Sequence, residues 1–238
     1  MAAALARSHV PTVADGYARL PFLGQLPDRV REAVLDRAVT RTLTRGSAAF
    51  WQGESMRLLP VVLAGHGKLM RNSAAGREVV MDFVGPGAAP CWAEILGDSV
   101  VPMSFVAVED CVVAFLPLAP IRHCISTDVR STLAYAELIA SDHRVLTQQL
   151  SETRAPSVPA RLGGLLLYLL DRRSEPGSRW IPIRLTRQDL ADAAGTTVET
   201  AIRLMRKWEK AGLLETRRDG IHIKDLDGLR EVADGGDA

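Results

Sequence analysis

An excess of either charge is what this chain lacks first. Its 29 lysines and arginines stand against 28 aspartates and glutamates, a formal net charge of +1. Contact with a polyanion must therefore rest on a local basic patch, not on bulk charge. Cysteine is sparse as well. Cys91, Cys111 and Cys124 are far apart with no CxxC spacing, so neither a zinc site nor a disulfide framework is indicated. No apolar run approaches the ~20 residues that span a bilayer. The opening MAAALARSHV has no long apolar core behind a basic start, so no signal peptide is expected, and the chain reads as cytoplasmic with no membrane partner.

What is present is enough apolar material to fold. With 238 residues, 47% hydrophobic and 24% charged, the chain can bury the cores of two modest domains or one large one. Arg greatly outnumbers Lys, which suits phosphate and guanine recognition, though genome composition alone would also produce it. Residues 20–43 place Val30, Val34, Leu35 and Ala38 at helical spacing. From Ser47 to Leu118 the texture becomes short β-rich runs (RLLPVVLAG, REVVMDFVG, SFVAVEDCVVAFLP) separated by turn residues, which predicts an antiparallel barrel or jelly roll. From Ser126 to Ser151 Gly and Pro vanish, and one long helix is expected. Along it Val129, Leu133, Ala136, Ala140, His143 and Leu150 fall near a seven-residue repeat, compatible with a seam between two copies of the chain or with packing on the chain's own barrel. The two prolines of RAPSVPAR then break the helix and mark a hinge. The expected class is α+β: an N-terminal antiparallel β-roll over 1–125, a dimerisation helix and hinge over 126–155, and a C-terminal winged helix-turn-helix over 156–238.

RQDLADAAGTTVETAIRLMRKW carries the strongest signal. Two helices crossing at a tight turn need a small residue at their contact, a Gly at the turn and apolar residues locking the second helix. Ala191, Gly195 and the set Leu190, Ala194, Ala201 and Leu204 meet those needs. Thr186 is placed to cap the first helix and Thr196 the second. The opposite face of the second helix then shows Thr197, Val198, Glu199, Ile202, Arg203 and Arg206. Such a helix can lie in a major groove with its N-terminal residues on base edges. Arg203 suits guanine O6 and N7, Glu199 cytosine N4, and Val198 or Ile202 a thymine methyl. Thr186, Arg187 and the wing arginines Arg217 and Arg218 are candidates for phosphate contacts. Plainer roles compete: Thr196-Thr-Val-Glu199 is also a capping-box pattern, and Arg206, Lys207 and Lys210 also suit a solvated face.

These residues resemble the Crp/Fnr family of bacterial transcription regulators. LTRQDLADAAGTTVETAIRLMRKWEKAGLLETRRDGIHIKD is similar to that family's C-terminal module, and FWQGE, GHGKLMR, GREVVMDFVGPG and SFVAVEDCVVAFLP match its cyclic-nucleotide-binding-like β-roll. The order of parts matches over nearly the whole chain. The resemblance implies a homodimer on a two-fold symmetric operator in double-stranded DNA, with RNA polymerase as a partner if the protein activates. Glu199 and Arg203 match the pair that reads the half-site core. Val198 sits where oxygen-sensing members carry Val, which leans towards a TTGAT-type half-site, while Ile202 replaces an expected Ser and leaves the outer bases open.

At the effector site the resemblance breaks. The ribose-holding Gly-Glu pair reads Ala93-Glu94 here, and the phosphate-holding Arg-Ser pair reads Met103-Ser104. A buried phosphate without its Arg loses a charge-assisted bidentate contact and is desolvated without compensation. Leu146 and Thr147 lie where the base would rest. The resemblance therefore argues against cyclic AMP, and the missing N-terminal cysteine cluster argues against an iron–sulfur cluster. Heme stays open as an alternative, making a gas or redox sensor. Cys91 lies close to the place where carbon-monoxide-sensing members supply a thiolate, but their nearby His is Ala93 here; His66 and His143 are further axial candidates. Each has a simpler role: Cys91 as a small buried hydrophobe, His66 as a solvated turn residue, His143 as a polar seam residue. An apolar effector, or none, stays open too. A cupin-like enzyme would need clustered histidines that this β-roll does not offer, so no enzyme is expected. A winged helix that binds a protein partner is the remaining alternative, opposed by the Glu199/Arg203 pair and the basic wing.

Overall fold

The computed structural model describes residues 12–14, 21–72, 78–97, 100–152 and 157–236. The side chains of Leu146 and Leu150 and the hinge residues 153–156 lie outside the described set. Contacts group the chain into two compact units, residues 1–69 with 84–141 and residues 70–83 with 142–238.

The first unit opens on two short helices, α1 (Pro21–Gly24) and α2 (Asp28–Leu35). The strands of the β-roll follow as β1 (Val39–Leu43), β2 (Ala48–Phe50), β3 (Leu58–Ala64), β4 (Gly67–Asn72), β5 (Glu78–Val84), β6 (Ser104–Ala107) and β7 (Cys111–Pro117). They form two sheets, ordered β1-β7-β3 and β2-β6-β4-β5, so β5 is an edge strand. β7 pairs antiparallel with both neighbours, Val39 opposite Phe115 on one side and Leu59 opposite Leu116 on the other. The alternation of side chains along a strand explains why RLLPVVLAG and CVVAFLP read as unbroken apolar runs. Leu59, Val61, Leu63, Ala114 and Leu116 face a helical layer with Phe22, Leu23, Ile121, Ile125 and Tyr135. Val62, Cys111, Val113 and Phe115 face the other way, onto Leu69, Val84, Phe105 and Ala107. Both faces are covered.

The long helix expected over 126–151 is one helix, Val129–Glu152, which starts three residues later than expected because a separate helix precedes it. α3 (Leu118–Thr127) ends because Asp128 leaves helical geometry at φ −116° and ψ 114°. Its carboxylate then accepts from the Ser131 backbone N at 2.8 Å and Ser131 Oγ at 2.7 Å, capping α4 (Val129–Glu152). Ala134, Tyr135 and Leu138 pack on the unit's own core. Val129 and Leu133 remain 73% and 60% exposed, with Ala136, Ala140 and His143 exposed behind them. The helix thus carries both an inward face and an uncovered apolar stripe.

In the second unit Ser157 caps α5 (Val158–Arg173) through the Ala160 N–H. Next come β8 (Trp180–Ile181), α6 (Arg187–Ala194), α7 (Val198–Lys210), β9 (Leu214–Arg217), β10 (Gly220–Ile223) and α8 (Leu226–Ala233). The wing sheet is ordered β8-β10-β9. β8 is shorter than RWIPIRL suggests, because Pro182 has no N–H to continue the ladder.

Candidate nucleic-acid interface

The helix-turn-helix is assembled from caps and small residues. Thr186 Oγ1 accepts from the Asp189 N–H at 3.0 Å while Asp189 Oδ2 accepts from the Thr186 N–H at 3.0 Å, a reciprocal capping box at the start of α6. Gly195 ends α6 at φ 61°, a conformation that a side chain would strain. Leu190, Ala191, Ala194, Ala201 and Leu204 are buried as their spacing predicts, joined by Met205 and Trp208.

The second helix begins one residue later than expected. Thr197, not Thr196, is its N-cap, accepting from the Thr200 N–H at 3.3 Å. The third helical position is therefore Thr200, and Glu199 stands outside any capping box. Thr197 spends its hydroxyl proton on Thr200 Oγ1 at 3.2 Å, so its hydroxyl serves the cap first. Glu199, Arg203 and Arg206 are exposed, and among the described residues none has a hydrogen bond or ion pair. One turn separates Glu199 from Arg203, so both project from one face. Val198 and Ile202 are half-buried beside them.

Arg187, a candidate phosphate contact by its position, has partners within the protein. Its Nη2 donates to Thr216 Oγ1 at 2.9 Å and lies 3.4 Å from Glu209 Oε1, tying α6 to α7 and the wing. Burial pulls its pKa down, against the attraction of Glu209. It is a brace. In the wing, Arg217 Nε donates to Glu215 Oε1 at 3.0 Å and Lys224 Nζ stands 2.9 Å from Glu215 Oε2. Those two hydrogen bonds bring the Glu215 pKa down to about 2. Arg218 is exposed at the hairpin tip. Sequence reasoning passed over Arg161, whose Nε donates to the Ala194 carbonyl at 2.9 Å and Nη2 to the Gly195 carbonyl at 3.3 Å, closing the C-terminus of α6. No sequence spacing announces that contact. Asp189, three residues after Thr186, did carry a readable capping signal.

In the β-roll the effector candidates serve several local roles. Ser104 Oγ is buried and accepts from the Gln52 N–H at 2.9 Å. Met103 packs partly buried against the inter-sheet core. Glu94 is half-buried in a 3-10 turn, Trp92–Glu94, which Tyr135 holds by donating to the Ala93 carbonyl at 2.9 Å. Thr147 is exposed and donates to the His143 carbonyl at 2.8 Å. A cleft of about 190 Å³ lies elsewhere, lined by Arg41, Phe50, Met56, Arg57 and Phe115 among others and by none of these candidates.

The heme candidates occupy three different settings. Cys91 sits at φ 61°, and burial together with the Glu94 charge pushes its thiol up to about 12. His66 is not a solvated turn residue. It is 8% exposed, its Nδ1 lies 2.6 Å from Glu109 Oε1, and its ring lies so close to Gly85 that a Cβ there would overlap it. His143 is exposed on α4. Among the described residues no group of three or more His, Cys, Asp or Glu is placed to hold a metal ion.

A profile of the Crp-like helix-turn-helix domain matches residues 160–232, and a profile of the cyclic nucleotide-binding domain matches residues 40–128. The chain is 25% identical over 207 residues to the anaerobic regulatory protein of Haemophilus influenzae, covering 83% of this chain and 78% of that one. It is also 25% identical over 214 residues to the cyclic AMP receptor protein of Thermus thermophilus, covering 90% and 96%. The solved structure of FixK2 from Bradyrhizobium japonicum matches with a TM-score of 0.72 at 17% identity, over 84% of this chain and 98% of that one. At that identity the likeness is one of fold.

Proposed function

Because this chain belongs to the Crp/Fnr family of transcription regulators, we propose that it binds a two-fold symmetric operator as a homodimer and reads each half-site core with Glu199 and Arg203. The observation that carries this is the state of α7. Its inner face is locked by Ala201, Leu204, Met205 and Trp208, while Glu199 and Arg203 stand exposed and without protein partners among the described residues. Such a pair meets cytosine N4 and guanine O6/N7 without first breaking internal bonds. Arg206 and the wing arginine Arg218 supply phosphate contacts, whereas Arg217 is held by Glu215. Functionally the chain divides into an effector-domain β-roll over 1–125, a dimerisation helix and hinge over 126–155, and a DNA-binding module over 156–238. The exposed stripe of Val129, Leu133, Ala136, Ala140 and His143 is the dimer seam. The protein works in the cytoplasm, catalyses no reaction, and meets RNA polymerase where it activates.

The effector differs from cyclic AMP, although one relative is named for that ligand. Ala93 and Met103 replace the expected Gly and Arg, and Ser104 already holds the Gln52 N–H. The test is a gel shift on a duplex with two inverted TTGAT half-sites against a scrambled duplex. The wild type should prefer the first. Arg203→Ala should lose about 1–3 kcal/mol of that preference, the worth of one bidentate base contact. Equal affinity of the wild type for both duplexes would sink the Fnr-like half-site.

A further inference from the structure

Strand β5 belongs to the β-roll by its sheet, yet residues 70–83 cluster with the DNA-binding unit. Three hydrogen bonds fasten it there. Tyr168 Oη donates to Asp82 Oδ1 at 3.0 Å, Arg173 Nη2 to Asp82 Oδ2 at 3.1 Å, and Arg173 Nε to the Phe83 carbonyl at 2.6 Å. The pair is largely withdrawn from water, with Arg173 at 15% and Asp82 at 24% side-chain exposure. Both carboxylate oxygens are used, and the guanidinium grips a side chain and a backbone together. Directional, charge-assisted bonds of this kind fix geometry, which a single exposed ion pair does not.

Both Tyr168 and Arg173 lie towards the C-terminal end of α5. Near its other end Arg161 holds the Ala194 and Gly195 carbonyls, the turn from which α7 starts. Arg173 lies twelve positions after Arg161 on the helix, a rise of about 18 Å at 1.5 Å per residue. One rigid element is therefore bonded to the sheet's edge strand at one end and to the helix-turn-helix turn at the other.

We propose that Asp82, Tyr168 and Arg173 form a latch through which β5 controls the recognition helix, with α5 as the strut. The inference rests on the DNA-binding reading for its output and names the route by which the β-roll reaches it. A coupling of this kind is reciprocal: a ligand at the turn must also change the state of β5.

Hydrogen exchange on the full-length protein reads both halves, with and without the inverted TTGAT duplex. In the wild type the duplex should slow exchange in α7 and change it in residues 78–84. Arg173→Ala removes two charge-assisted bonds and should speed basal exchange in 78–84 by at least about tenfold, the scale of losing one. In that variant the duplex should still protect α7 but leave 78–84 unchanged. The charge-reversed pair Asp82→Arg with Arg173→Asp should restore the response at least in part, which separates loss of the latch from general damage. If Arg173→Ala leaves basal exchange of 78–84 as in the wild type, the latch is overturned. If the duplex protects α7 in the wild type while 78–84 does not respond, the coupling is overturned. Absence of α7 protection in the wild type would instead reject the half-site reading, with the latch still judged by the basal rates.

Discussion

Arginines close together in sequence do opposite work in this module, and only their surroundings tell them apart. Arg187 is tied to Thr216 and Glu209, whereas Arg203 faces outward without a partner among the described residues. Charge counting treats them alike. Glu215 shows the same dependence on neighbours: Arg217 and Lys224 each bond one of its oxygens. A carboxylate held down to about 2 in the fold, against 4.5 as its ordinary value, contributes stability that is complete above the ordinary value. That contribution is lost as pH falls from there through about 2. A carbon-detected NMR titration should therefore place the Glu215 midpoint near 2, and Lys224→Ala should move it back towards 4.5. A wild-type midpoint near the ordinary value would mean that the two wing bonds do not persist in solution.

At the scale of elements, boundaries depend on single polar side chains, and this is where sequence reading succeeded and failed. Helix and strand types were legible because β3 and β7 are short unbroken apolar runs covered on both faces, while burial recurs at helical spacing along α7. Gly195 at the turn and Thr186 at its cap were legible because few residue types serve there. The start of α7 was not, since Thr196 and Thr197 are chemically equivalent and only the backbone chooses between them. Nor was the break at Asp128, where neither Gly nor Pro announces that a carboxylate turns back to cap the next helix. Thr186→Ala and Thr197→Ala should each cost about 1 kcal/mol in denaturant unfolding, the usual worth of an N-cap. Thr196→Ala should stay within about 0.5 kcal/mol, as expected of a substitution away from any cap. The same scale decides the dimer. Leu133 is 60% exposed on α4 while Tyr135 is buried, so Leu133→Asp should leave the fold intact and yield monomers in sedimentation velocity. A dimer that persists in Leu133→Asp would move the seam to another face.

For the whole molecule the near-zero net charge is the fact that governs behaviour. A protein with so little bulk charge gains little from general attraction to DNA, and its affinity depends on the few cations that reach phosphates. The latch, the brace and the wing pairs spend cations internally: Arg173 on Asp82, Arg187 on Glu209, Arg217 and Lys224 on Glu215. Arg206, exposed and without a partner among the described residues, is of the other kind. Salt dependence separates the two groups, because each neutralised phosphate contributes about −0.9 to the slope of log K against log salt on duplex DNA. In a symmetric dimer Arg206→Ala removes two such contacts, so the slope should become shallower by about 1.8. Arg187→Ala should leave the slope as in the wild type and instead lower the melting temperature, because it removes a brace rather than a DNA contact. Affinity measured across a salt series for the three proteins checks both statements. A slope reduced by Arg187→Ala would return that residue to the DNA, and an unchanged slope in Arg206→Ala would take Arg206 off the phosphate backbone.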